Sequence, residues 1–488
     1  MKKALYFSSL LLVLTACKTE DNSATSKIDF DGISETIKPG DNFFEHVNKT
    51  WLDNAVIADD QVGVGSYSFL NIPQKELLEN ILTEVSAETH EKGSVEQMVG
   101  DFYASGMYTE SINNRGFEPL QPTFSKIDAI TNAASLMTFV TDELSSGNGS
   151  IIGMYVSPDN ENSTINILHF GQAGLGLPDR DYYFKTDDAT VAIQEAYKTY
   201  LATLFKLSNQ DDTEKKANTV YTIEKTIAES HKTRIERRNV KANYNKMAVA
   251  DINESQSNIG WTKLLAQLNL EADSVDIKQP DYYEALNTML VSTPVSDWKT
   301  YLKARTLSNY ADILSKPFED ANFEYAKVLY GQSTQKTRAQ LMVQKVDRQL
   351  GFALGQLYVK RYFNEDAKQR VLDLVNNLQK AFENRINQLD WMSDVTKEQA
   401  KEKLYTITKK IGYPDVWRTY NADIKRDAYF ENVVALKQNA YQYNIAKLNK
   451  APNRDEWGTT PSTVTAYYNP PLNEIVFPAG ILQFPYFD

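Results

Sequence analysis

The sequence predicts a mainly α-helical protein: a large, bundle-like helical domain carrying a few short β-hairpins. Long stretches repeat apolar residues at helical spacing, capping and breaking residues punctuate their ends, and β-rich runs are few. In 191–207, Ile193, Tyr197, Leu201 and Leu204 fall on one helical face. In 371–389, Val371, Leu374, Leu378, Phe382, Ile386 and Leu389 repeat the pattern as the core stripe of a bundle helix would. A further helix starts at Thr396, spaced from Gln399 as in a capping box, and runs up to Gly412 and Pro414. Residues 150–159 and 162–170 read as one hairpin. Residues 463–468 and 474–477 read as a second, joined by the turn residues 469–473.

Composition bounds the function. The chain has 488 residues and a net charge of −12, so it lacks the basic face that nucleic acid requires. Cys17 is the only cysteine, which excludes an internal disulfide. The four histidines, His46, His90, His169 and His231, never pair at the spacing that puts two imidazoles on one helical turn. Each reads as a surface or hydrogen-bonded core residue. The glycines of 171–181 lack dinucleotide-binding spacing and read as a tight structural loop, and the basic run 234–247 reads as a solvated helix face.

The first residues form a targeting signal. Lys2 and Lys3 precede the apolar run Ala4 to Leu14, and Leu14-Thr15-Ala16-Cys17 has the small-residue-then-cysteine pattern of a bacterial lipobox. The expectation is a lipoprotein signal peptide over 1–16, an acylated Cys17 in a lipid bilayer and a polar tether over 17–29. That places the chain in a bacterial cell envelope, on the periplasmic or exterior side. At the other end, no charge lies between Glu474 and Asp488, while eight of those residues are apolar or aromatic. Such a segment requires burial.

Six segments occur in a recognisable order: PGDNFFEHVNKTW (39–51), VGDFYASGM (99–107), GLGLPDRDYY (174–183), RIERRN (234–239) with YNKM (244–247), KIGYPDVW (410–417) and VTAYYNPPLNEIVFPAGILQFPYF (464–487). Together they resemble the neprilysin and endothelin-converting enzyme family of zinc metallopeptidases, along nearly the whole chain after the leader. The resemblance implies a helical cap over 81–430, with 30–80 and 431–488 belonging to a thermolysin-like catalytic lobe. It also implies a zinc cofactor whose ligands, with the general base, lie beyond Asp488, so that the apolar terminal segment meets its partner there. On this reading the 488 residues contain no metal ligand and no catalytic residue and are not catalytic by themselves; they are the N-terminal portion of a monomeric endopeptidase that cleaves short peptides.

What the resemblance assigns within the chain is substrate binding. Thr465 and Ala466 match the family's substrate-binding edge strand, along which a peptide lies as an added strand. Thr465 replaces the family's usual asparagine, and its hydroxyl does not reproduce the paired donor and acceptor of an amide. In 59–71, where relatives often carry arginines, Gly63 and Asn71 stand instead, which argues against selective release of C-terminal dipeptides. The alternative reading is a non-catalytic peptide- or glycan-binding surface lipoprotein.

Overall fold

The computed structural model describes residues 33–487. The expected signal peptide and tether, Cys17 included, lie outside the described residues. Within them the chain is mainly helical, with seventeen α-helices and seven short strands. It divides into two units, one holding residues up to Ala55 together with Phe484 onward, the other Val56–Gln483. In the first, helix Phe43–Asn54 is capped by Asn42, whose side chain accepts from the Glu45 N–H. His46 Nδ1 bonds the Ile37 carbonyl at 2.6 Å, folding the preceding loop onto that helix.

In the second unit, the amphipathic pattern near 191 forms helix Asp188–Leu207, started by the Asp187 side chain on the Thr190 N–H. It buries Tyr197, Leu201, Leu204 and Phe205, packing against helices Thr213–Glu229 and Lys316–Tyr330. Between these helices the carboxylate of Glu224 is wholly buried. It accepts from the hydroxyls of Tyr183 (2.8 Å) and Tyr197 (3.0 Å). Tyr183 also receives the N–H groups of Gly176 and Leu177, so the glycine loop is a structural turn, as its spacing suggests.

The first sheet has the order β1-β2-β4-β3: β1 (Gly153–Pro158), β2 (Asn166–Gly171), β3 (Lys246–Ala248) and β4 (Ser274–Ile277). β1 and β2 are the expected antiparallel hairpin. The basic run 234–247 is two 3₁₀ turns leading into β3 rather than a helix face. The second sheet has the order β5-β7-β6: β5 (Thr408–Gly412), β6 (Tyr467–Asn469) and β7 (Glu474–Pro478), with β7 central.

Three sequence expectations are corrected. The helix expected up to Gly412 is Asp394–Tyr405, capped by Ser393 rather than Thr396. Its last third becomes β5: Thr406 caps the helix, and Thr408–Gly412 pair in parallel with β7, a ladder that β-branched Thr408 and Ile411 suit better than a further helical turn. On helix Glu365–Asn387 the expected core stripe is only partly core. Val371, Val375 and Ile386 are buried, while Leu374, Leu378 and Phe382 are 48%, 60% and 56% exposed. The helix rests on β5 and helix Asp394–Tyr405 by its other side. Finally, much of the apolar terminal segment is covered by this chain itself. Val476, Ala479, Ile481 and Leu482 are buried as β7 runs between its two neighbours and the following turn meets helix Ser68–Ala87.

Candidate functional site

β6 is an edge strand of three residues, paired on one side only: Tyr467 with Val476, Tyr468 with Ile475, Asn469 with Glu474. Its other side presents backbone N–H and C=O groups without a strand partner, the template that an added strand uses. The strand is shorter than the expected 463–468. Thr465 and Ala466 lie in the extended lead-in before it, Thr465 half-buried and Ala466 exposed. The reason is local: the Thr465 N–H turns back to the Thr463 carbonyl at 3.1 Å and is lost to any ladder.

That lead-in is held from below by several elements. The Ser462 hydroxyl donates to Asp347 Oδ1 at 2.9 Å, and the Gln74 amide donates to the Ser462 carbonyl. The Gly480 N–H donates to the Pro461 carbonyl at 2.9 Å. Burial pushes the Asp347 carboxyl above its ordinary pKa, and the serine bond opposes this. Helix Arg338–Tyr362 meets the segment at two glycines one turn apart. A Cβ at Gly351 would stand 2.5 Å from Thr460 Cγ2, and one at Gly355 2.8 Å from Pro461 Cδ. The absent side chains are what permit this approach. Under the edge, Lys410 and Glu474 are 5% and 2% exposed and joined at 2.6 Å. Lys410 also donates to the Glu456 carbonyl, and Asn469 Nδ2 donates to Glu474 Oε1 at 3.0 Å. The pair is buried with its remaining hydrogen-bonding capacity in use, the condition under which a buried ion pair is tolerated.

The N-terminal half of the same helix lines two adjoining cavities. One, of 610 Å³, lies among helices Ala133–Ser145, Arg338–Tyr362 and Tyr429–Ile445, and Asp312, Lys345, Arg348 and Lys437 face it. The other, of 380 Å³, shares Asp312, Lys345 and Arg348 and adds Glu319, Lys336 and Arg338. Arg338 pairs with Glu319 at 2.6 Å, and Lys345 pairs with Asp312. Lys437 sits over the Tyr310 ring at 4.1 Å and donates to Asn148 Oδ1 at 3.1 Å; burial lowers its pKa to about 8. Spacing in the sequence brings Lys345 and Arg348 to one face of a helix. Nothing in it signals that Lys437, Lys336 and Arg338 converge there.

No group of three or more His, Cys, Asp or Glu able to hold a metal occurs among the described residues. Each histidine is occupied elsewhere: His90 on the Val85 carbonyl, His169 between Asp276 and the Ser157 carbonyl, His231 on the Ala173 carbonyl, and His46 as above. The residues present therefore do not fit a zinc centre. Near the expected arginine positions, Gly63 is exposed and Asn71 half-buried. The adjoining loop is fastened by Asp59, whose carbonyl accepts from the Thr334 N–H at 2.9 Å, and by Asp60, whose carbonyl accepts from Lys336.

Comparison with known proteins is consistent along the chain. The family model described as Peptidase family M13 matches residues 39–414. Endothelin-converting enzyme 1 of Mus musculus is 29% identical over 96% of this chain, and that of Bos taurus 30% identical over 97%. The chain spans 64% of the length of either relative. Among solved structures, a zinc metalloprotease of Mycobacterium tuberculosis crystallised with an inhibitor superposes with a TM-score of 0.87 at 33% identity, covering 94% of this chain and 71% of the other. PepO of Lactobacillus rhamnosis superposes at 0.83 with 21% identity over 93% of this chain and 72% of that one, a likeness of fold.

Proposed function

This chain belongs to peptidase family M13, and from that premise we propose that the protein is a lipid-anchored zinc metalloendopeptidase of the neprilysin type that cleaves short peptides. The 488 residues supply the substrate side of that activity, as the helical cap over 81–430 and the catalytic-lobe segments 30–80 and 431–488. The observation that supports this is the one-sided edge at Tyr467–Asn469, whose lead-in is seated through Ser462 and where main-chain hydrogen bonding suits a peptide of any sequence. The zinc ligands and general base are proposed to lie in sequence following Asp488. The relatives are longer than the part this chain matches, which agrees with that assignment. The protein is proposed to work as a monomer on the periplasmic or exterior side of a bacterial envelope.

The 488-residue chain is expected to bind an unstructured short peptide, to hold no stoichiometric zinc and to leave a quenched fluorescent peptide uncut. Stoichiometric zinc with chelator-sensitive cleavage would overturn the assignment of catalysis to later sequence. Failure to bind any short peptide would overturn the substrate-side reading. Reading the locus past codon 488 tests the remainder: a frame that enters H-E-x-x-H supports the peptidase. A stop there favours the second reading, a non-catalytic peptide- or glycan-binding lipoprotein.

A further inference from the structure

Three cations along the two cavities have no carboxylate partner. Arg348 faces both cavities, is exposed, and makes no ion pair among the described residues. Lys336 gives its bonds to neutral oxygens, the Asp60 carbonyl at 3.1 Å and Gln332 Oε1 at 3.2 Å. Lys437 likewise has only an amide oxygen and a tyrosine ring. The other two basic side chains, Arg338 and Lys345, are compensated by Glu319 and Asp312. The nearest further acid, Glu143, lies behind Asn148, whose Nδ2 donates to it at 3.2 Å, and burial raises its pKa. Five basic side chains thus line concave walls that carry two carboxylates, Asp312 and Glu319, in a protein whose net charge is −12; Asp312 and Glu143 act on Lys437, and Asp60 on Lys336, without pairing with them. For the half-buried Lys336 and Lys437, charge without a paired carboxylate is costly in the free protein, and an anionic ligand offsets that cost.

The position of these cations decides which anion. Arg348 precedes Gly351 by one turn, about 5 Å along the helix, and Gly351 is where the segment leading to β6 touches that helix. Asp347, next to Arg348, holds Ser462 of that segment. The seat of the edge and the cationic walls are thus built on one helix, within a turn of each other. We infer that the two cavities are acidic subsites, in which Arg348, Lys437 and Lys336 receive Asp or Glu side chains of the bound peptide. The inference rests on the peptide-edge reading above and adds a substrate class to it: carboxylate-rich peptides. Guanidinium and ammonium groups without a paired carboxylate suit this task, because they gain ion-pair hydrogen bonds only when the ligand arrives.

The test is calorimetric titration of the 488-residue chain with blocked Ala-Glu-Ala-Asp-Ala-Glu-Ala and with its Gln/Asn counterpart. The acidic peptide is expected to bind about tenfold more tightly at low salt, an advantage that shrinks as ionic strength rises. Arg348→Gln, at an exposed position, should reduce that ratio several-fold. Lys437→Met, with its fold checked by circular dichroism, should reduce it further. Equal affinity for the two peptides, or a ratio untouched by Arg348→Gln, overturns the inference while leaving the edge intact. Acid-selective binding that survives Tyr468→Pro, which removes an N–H within the edge strand, keeps the cavities and overturns the edge. Binding of neither peptide overturns both.

Discussion

Thr465 is the residue at which the proposed peptide anchoring and the departure from the family's usual asparagine meet. Its own N–H is spent on Thr463, so only its side chain and carbonyl face a ligand. An amide in its place both donates and accepts. Thr465→Asn is expected to tighten short-peptide binding about fivefold, the worth of one net hydrogen bond of ~1 kcal/mol, with the melting temperature unchanged. Titration of both forms with one neutral peptide checks this, and an unchanged affinity refutes it. A second prediction concerns His231. Burial, aided by Arg237 and Arg180, lowers its pKa to about 4, and the ring stays neutral on the Ala173 carbonyl. Between the unfolded value near 6.5 and about 4, the unfolded chain binds a proton that the native one refuses, so stability falls as pH drops through that window. The loss reaches at most about 3 kcal/mol. His231→Gln should flatten the urea-unfolding curve between pH 6.5 and 4; an identical slope in the variant contradicts the account. The sequence marks such a histidine only as solitary, since its burial is made by chain 58 residues away.

Helix Arg338–Tyr362 is the element on which the candidate site is assembled, and its glycines are a contest of two effects. Replacing a helical glycine gains up to about 1 kcal/mol of backbone entropy and propensity. At Gly351 that gain meets a Thr460 methyl 2.5 Å from the new Cβ, on a side chain pinned by bonds to Ser462 and Thr463. Overpacking of this kind costs about 1–3 kcal/mol, so the clash wins. Gly351→Val is expected to lower the urea midpoint and to weaken peptide binding by displacing 460–466. A variant as stable as the parent would show that the segment moves without cost. Legibility at this scale follows the range of the determining interaction. Helix Asp188–Leu207 was readable because its stripe and cap are local. The helix expected up to Gly412 was misread because β5 exists only through pairing with β7, 66 residues later in register. Ser393 was passed over as a cap because Thr396 and Gln399 offer the same spacing, and only backbone geometry chooses between them.

At the scale of the whole molecule, the proposed lipid anchor rests on Cys17, the chain's one cysteine, and the apolar run before it. Cys17→Ser is expected to move the protein, expressed in a bacterial cell, from the detergent phase to the aqueous phase on Triton partition, since no described helix is long and apolar enough to cross a membrane. Retention in the detergent phase would exclude acylation of Cys17 as the anchor. The order of six short segments determined the family, and hydrophobic period determined the helical class. Both are properties written along the chain, where residues a few positions apart share one face. The tertiary structure alone decided the rest. It limited the edge to Tyr467–Asn469, buried Val476 to Leu482 within the chain, and left Leu374, Leu378 and Phe382 exposed. It also gathered Lys336, Arg348 and Lys437 around adjoining cavities. These outcomes depend on contacts between residues tens to hundreds of positions apart, and no local pattern records which charges will be left without partners once the helices pack.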